Sequence, residues 1–322
     1  MRFALSTNWS NTRLNDGAAI ADEAGELGFD ALELGFRTQP EQLPGFRSRL
    51  DRMPIDSVHA YCPVPVGAPS GHPELYQICS PDENERALAR MLLEKTFSCA
   101  ADLGAKVVVF HAGYARMDTL FGNLFTTSRK LRIRRGQVVY DAFRREFDIL
   151  RPSLESKGLT LALENLPRLE GFPSSFEAKD LMREYEGAPL KLWLDTGHAL
   201  VRETHGWDGE SAHIAAELAP WICGMHLNDV KGPFDDHGEP GWGNVDFARL
   251  AFLAKRNVLR VLEPSSAIHP SDLRRALSYM RGIWENCPIS LRLLNRQSPR
   301  LYRCPLLLQQ HNGLLPQSCL PC

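Results

Sequence analysis

Eight short apolar or β-branched runs recur along this chain, and stretches with helical spacing separate them. The runs are Phe3–Thr7, Ala31–Phe36, Ile55–Tyr61, Lys106–His111, Thr160–Asn165, Lys191–Asp195, Ile222–Asn228 and Arg260–Glu263. Each has the length of a buried strand. Between them, Asp16–Leu27 sets Ala19, Ile20, Ala24 and Leu27 on one helical face, and Asn84–Leu103 does the same with Leu88, Met91, Leu92 and Phe97. Val138–Leu154, Ser174–Tyr185, Glu210–Leu218, Asp246–Lys255 and Pro270–Trp284 complete the helical set. Gly28, Gly104 and Gly158 each close a helical run ahead of a strand. Eight strand–helix alternations predict a (β/α)8 TIM barrel over residues 1–286. No G-x-G-x-x-G follows the first run and no G-x-x-x-x-G-K-[ST] occurs, which argues against a Rossmann domain and a P-loop.

Residues 287–322 read differently. They hold no Asp or Glu, four arginines, five prolines and four of the eight cysteines, without a sustained period. They are expected to form an irregular, poorly ordered C-terminal extension. Removing them changes the meaning of the charge balance. The whole chain of 322 residues carries 37 Lys+Arg against 39 Asp+Glu, whereas residues 1–286 carry 33 against 39. The barrel is therefore acidic, which counts against nucleic acid as a partner. Arg129–Arg135 is the one dense basic cluster, and its plain reading is a solvated face. No apolar run reaches the roughly 18 to 20 residues of a membrane span, and Met1–Asn8 lacks a signal-peptide core. A cytoplasmic protein with reduced thiols is expected, away from membranes. Cys319 and Cys322 form a C-x-x-C without the second half of a zinc pattern.

The chemistry gathers at the strand ends. From the third run onward, six consecutive strands finish in His, Glu or Asp: His59, His111, Glu164, Asp195 with His198, His226, and Glu263. Asp235 and His237 follow in the loop after the seventh strand, within Asp235–Gly243. A barrel puts its catalytic groups at this end. Several carboxylates crowded into one mouth repel one another unless cations neutralise them. Carboxylate mixed with imidazole suits zinc, manganese or iron. Two long connections, 62–81 and 112–136, would lie over the same end as lids or binding loops.

The order of these motifs resembles the xylose-isomerase-like barrels, which include sugar isomerases, epimerases and endonuclease IV. The resemblance covers about residues 1–286. It implies a mononuclear metal site of Glu164, Asp195, His226 and Glu263, with Glu164 and Glu263 as the catalytic acid/base pair and His198 on the substrate. Similarity to endonuclease IV extends the ligand set. By it, one zinc would take His59, His111 and Glu164, a second Glu164, Asp195, His226 and Glu263, and a third His198, Asp235 and His237. The cofactor expected is thus one to three zinc or manganese ions.

Two activities follow. One is isomerisation or epimerisation of a sugar, polyol or sugar phosphate, in which glutamates move a proton through a metal-stabilised enediolate. The alternative is a trinuclear zinc phosphoesterase cutting DNA at abasic sites. Under the first, Glu33 at the end of the second strand would bind a sugar hydroxyl, and Trp9 would wall the site with Tyr61 and Trp242. Each also has a plain reading, an ion-paired carboxylate for Glu33 and core packing for the aromatics. The partner expected is a small carbohydrate, and assembly into a homo-oligomer is left open.

Overall fold

The structure is a computed structural model that describes residues 1–68, 70–115 and 125–286, and within the last segment the side chains of 135–285. The extension 287–322, residues 116–124 and the side chains of Arg129–Arg134 lie outside the described residues.

Eight parallel strands close into a barrel in chain order. They are β1 (Ala4–Ser6), β2 (Ala31–Leu34), β3 (Ile55–His59), β4 (Val107–Phe110), β5 (Thr160–Glu164), β6 (Leu190–Asp195), β7 (Ile222–Leu227) and β8 (Leu259–Leu262). Ala4 stands between Val261 on one side and Ala31 on the other, which closes the ring. The surrounding helices are α1 (Gly17–Leu27), α2 (Leu43–Arg47), α3 (Glu83–Asp102), α4 (Phe125–Lys157), α5 (Ser175–Glu184), α6 (Thr196–Thr204), α7 (Ser211–Leu218), α8 (Ala251–Ala254) and α9 (Pro270–Asn286). Local chemistry sets their ends. Asp16 accepts from the Ala18 N–H to start α1, and Ser174 with Glu177 forms a capping box on α5. Among the described residues no helix is long and apolar enough to cross a membrane.

Two expectations are corrected. The connection 112–136 is not one long loop: Gly113–Tyr114 pairs antiparallel with Gly171–Phe172, and α4 already begins at Phe125. The helix expected over Asp246–Lys255 shrinks to the single turn α8. Asp246–Leu250 instead winds in i to i+3 turns, with Arg249 N–H on Asp246 O and Leu250 N–H on Phe247 O.

Alternation along the strands builds the interior in layers. Ala4, Ala31, Val107, Val109, Ala162, Trp193 and Val261 pack together as an apolar plug. Trp193 fits because Gly224 beside it has no Cβ, which would otherwise stand 2.0 Å from the indole. Two residues further along each strand the inward positions turn polar: Ser6, Glu33, His111, Glu164, Asp195 and Glu263, all buried. The change of character falls at the C-terminal mouth.

Candidate metal centre

Nine side chains meet at this mouth in three groups: His59, His111 and Glu164; Glu164, Asp195, His226 and Glu263; and His198, Asp235 and His237. Local structure explains several spacings. Asp195 ends β6 and also caps α6, its Oδ1 accepting the His198 N–H at 2.7 Å. One carboxylate thus sits in the barrel while its helix presents His198 one turn later. Asp229, after β7, accepts from the N–H groups of Val230, Gly241, Gly243 and Val245 and so folds the loop that carries Asp235 and His237. Gly243 is required there, since a Cβ would stand 2.4 Å from the Val230 oxygen. His237 adopts φ 45°, a left-handed conformation unusual for a side chain with a Cβ. It is held there by Ser265, whose N–H donates to its carbonyl at 2.7 Å.

All five histidines follow one rule. One ring nitrogen of each faces an acceptor outside the nine donors, and the other faces a carboxylate of the cluster. Nδ1 of His59 meets Ala60 O at 2.8 Å, Nδ1 of His111 meets Glu74 Oε1 at 3.3 Å, Nδ1 of His198 meets Asn165 O at 2.7 Å and Nδ1 of His237 meets Glu263 O at 3.1 Å. His226 is reversed, with Nε2 on Glu33 at 3.1 and 3.2 Å. Those outer nitrogens must carry hydrogen, because their partners only accept. The inner nitrogens lie 3.2 and 3.1 Å from Glu164 Oε2 (His59, His111), 3.0 Å from Glu164 Oε1 and 3.1 Å from Glu263 Oε2 (His226), and 3.1 and 3.3 Å from Asp235 Oδ2 (His198, His237). A lone pair facing an anion is repulsive unless a proton or a cation lies between them.

Without a cation, protons fill that role at His111, His198, His226 and His237. Burial alone would push His111 down, but the Glu164 carboxylate opposite outweighs it and holds the imidazole up at about 9. His237 is likewise driven down by burial and lifted to about 10 by its hydrogen bond to Asp235. His198 and His226 are raised well above the ordinary range against their burial, by Asp195 and by Glu263 respectively. Glu164, Asp235 and Glu263 are held below the usual carboxylate range despite burial, by the imidazoles facing them. Asp195 alone moves up, because burial dominates there.

The donors fit divalent cations. Ligands at 2.0–2.2 Å from a zinc-like ion stand about 3.0 to 3.5 Å from their neighbours, and the six inner contacts span 3.0–3.3 Å. Glu164 turns one oxygen toward each of two groups, as a bridging carboxylate does. The first two groups are buried, whereas Asp235 and His237 keep 29% of their side-chain surface and mark the open side.

Other residues hold this shell. Asn8 donates to Glu263 Oε1 at 3.0 Å, and Asn228 donates to Asp195 Oδ2 at 2.6 Å. Glu74, in the connection 62–81, accepts from His111 and from the Tyr114 hydroxyl. The sequence reading missed these three, because a lone Asn or Glu carries no pattern. Glu33 is fully buried against His226 Nε2, with Ser57 Oγ donating to its second oxygen at 2.8 Å. Trp9 is fully buried, and its indole N–H is used on the Ile268 carbonyl at 2.9 Å. Tyr61 is buried with its hydroxyl on Tyr76 O, and Trp242 is 40% exposed under Lys231.

Comparison with known proteins agrees with this architecture. A model of the xylose isomerase-like TIM barrel matches residues 21–281. The protein MJ1311 of Methanocaldococcus jannaschii is 25% identical over 175 residues, 53% of this chain and 54% of the relative. The chain spans a little over half the length of the curated relatives it matches. A D-tagatose 3-epimerase-like protein superposes with a TM-score of 0.66 at 20% identity, over 88% of this chain and 97% of the other. The 3-keto-D-glucoside 4-epimerase YcjR from E. coli does so with 0.65 at 16% identity, over 88% and 99%. At these identities the likeness is one of fold. With the barrel closed in chain order and the family model covering most of it, the chain belongs to the xylose isomerase-like TIM barrel family.

Proposed function

We propose that the protein is a divalent-metal-dependent isomerase or epimerase of a sugar, polyol or sugar phosphate. The observation that carries this reading is the buried quartet in which Glu164 and Glu263 approach one imidazole nitrogen from β5 and from the end of β8. The fold shared with a D-tagatose 3-epimerase-like protein and with a 3-keto-D-glucoside 4-epimerase supports a carbohydrate substrate. A divalent ion in the quartet would supply a Lewis acid that makes a C–H beside a carbonyl more acidic. The chain's own part is to hold and move the proton. Glu164 and Glu263 would serve as acid and base, with Asn8 keeping the Glu263 carboxylate in place. His198, in the open third group, would bind a substrate hydroxyl.

The test is exchange of substrate hydrogen with solvent deuterium across a panel of ketoses and their phosphates, using metal-loaded protein. Wild type should exchange at least one of them. Glu164→Gln and Glu263→Gln should each lose on the order of 10²- to 10⁴-fold. Undiminished exchange in Glu164→Gln overturns the assignment.

A second reading rests on a different observation. Glu164 Oε2 lies between two imidazoles, and a third complete group stands beside it. A carboxylate bound through both oxygens is a poor base, and three ions suit activation of water against a phosphate ester. Close to three zinc ions per chain, with incision of an abasic-site duplex that is lost in His111→Ala, would select the phosphoesterase. About one ion per chain, with exchange but no incision, would select the isomerase.

A further inference from the structure

We infer that Glu33 is a positioning residue that decides which nitrogen of His226 binds metal, rather than a group that meets substrate. The inference rests on the metal reading of the quartet but is independent of the reaction catalysed there. Glu33 Oε1 and Oε2 lie 3.1 and 3.2 Å from His226 Nε2, and Oε2 also accepts from Ser57 Oγ at 2.8 Å. All three side chains are fully buried. The register brings them together: Glu33 pairs with Ser57 across β2 and β3, and its inward-facing side chain reaches His226.

The chemistry then runs in one direction. A buried carboxylate is tolerated only with donors on its oxygens. Ser57 supplies one, and His226 Nε2–H is the other in contact with both oxygens. The proton is therefore fixed on Nε2, and Nδ1 is left facing Glu164 and Glu263 with its lone pair. A carboxylate behind a ligating imidazole also raises its basicity and holds the ring plane. Trp193 stands edge-on to the same ring, 5.1 Å between centroids, and His59 stacks on it at 5.7 Å, so the ring has little freedom to turn away. Of the five histidines, His226 and His111 hydrogen-bond a carboxylate from outside the nine through the outer nitrogen, and the one behind His226 is fully buried.

The test is the zinc affinity of full-length Glu33→Gln, measured by competition with a chromogenic chelator, beside the melting temperature of the same protein stripped of metal. The amide keeps the shape, but its NH2 can face Nε2 and favour the wrong tautomer. Quartet affinity should fall 10- to 100-fold, while the metal-free melting temperature stays near that of wild type. Glu33→Asp should recover part of the affinity. A Glu33→Gln affinity within twofold of wild type overturns the inference, as does a weakening matched by an equal loss of metal-free stability and not recovered in Glu33→Asp. Should Glu33→Gln fail to fold, Ser57→Ala loosens the same carboxylate. It is then expected to weaken zinc several-fold, and unchanged affinity in Ser57→Ala overturns the inference. If wild type binds no zinc at the quartet, the metal reading itself falls, an outcome distinct from the failure of Glu33 alone.

Discussion

The lower and upper halves of the barrel interior are built on the same strands, two residues apart, and obey opposite rules. In the lower half Val107, Val109, Ala162, Trp193 and Val261 fill space, and their contribution is burial. In the upper half His111, Glu164, Asp195 and Glu263 are equally buried yet carry charge. Their stability depends on what neutralises it. The lesson is that the plug is a finished structure, whereas the mouth is complete only with protons or cations between its donors. Substitutions in the two halves should therefore fail in different ways.

The largest contrast is expected at Glu164. Glu164→Gln removes the one carboxylate shared by two groups. Metal analysis should show both groups depleted, along with the loss of exchange given above. Below about pH 6.5 the metal-free protein should also melt lower than wild type, because His111 and His226 lose a carboxylate that holds their protons. Metal content left intact in both groups would reverse the roles of the two halves.

The pH response separates the halves next. His111 and His237 are held at about 9 and about 10 in the metal-free fold, above the roughly 6.5 of an unfolded chain. A raised folded pKa means stability that is fully present below about 6.5 and lost as pH rises through 9 to 10. Glu164, Asp235 and Glu263 are depressed, so their contribution is present above about 4.5 and lost as pH falls. Chelator-treated protein should thus be most stable between about pH 4.5 and 6.5. Zinc replaces those protons, so zinc-loaded protein should hold its melting temperature from pH 7 to 9 and release protons on loading. A chelator-treated melting temperature that is flat from pH 6 to 10 would remove the mouth from the stability balance.

The plug should respond through packing alone. Gly224→Ala drives a methyl into the Trp193 ring. It should destabilise by about 1 to 3 kcal/mol, read in denaturant melts, with zinc content falling far less than in Glu164→Gln.

Much of this difference could be read before the structure. The eight strands follow from run length and spacing, and the candidate ligands from His, Glu or Asp recurring at strand ends, since a terminal charge interrupting an apolar run is visible in one dimension. Asp195 and His198 were legible together because a helix cap ties them in sequence. The unread parts depend on distance in the fold. Glu33 stayed open between a substrate group and an ion-paired carboxylate, because the sequence places it at a strand end but does not show His226, 193 residues away, against it. Glu74 lies in a Pro-rich connection with no period to mark it. The turns of Asp246–Leu250 share helical spacing with a true helix and differ only in which carbonyl each N–H finds.

Asn8 gives the finest test, because it lies just past β1 at the mouth and bonds one candidate ligand, Glu263. Its Nδ2–H donates to Glu263 Oε1 at 3.0 Å, and its Oδ1 accepts the Arg37 N–H at 3.2 Å, so one side chain ties a ligand to the turn after β2. Asn8→Ala removes both bonds without touching a proposed metal ligand's identity. If the mouth is pre-organised by such ties, zinc affinity of the quartet should weaken by about tenfold, the low end for an outer partner of a ligand. The group of His198, Asp235 and His237 should titrate as before, since Asn8 bonds none of its members. Stability should change little in the zinc-loaded form, where the ion itself orients Glu263. Equal weakening of all groups would mean that Asn8 supports the whole mouth rather than one carboxylate. An unchanged quartet would mean that Glu263 is held by the ion and by His226, and that the tie to β1 adds packing only.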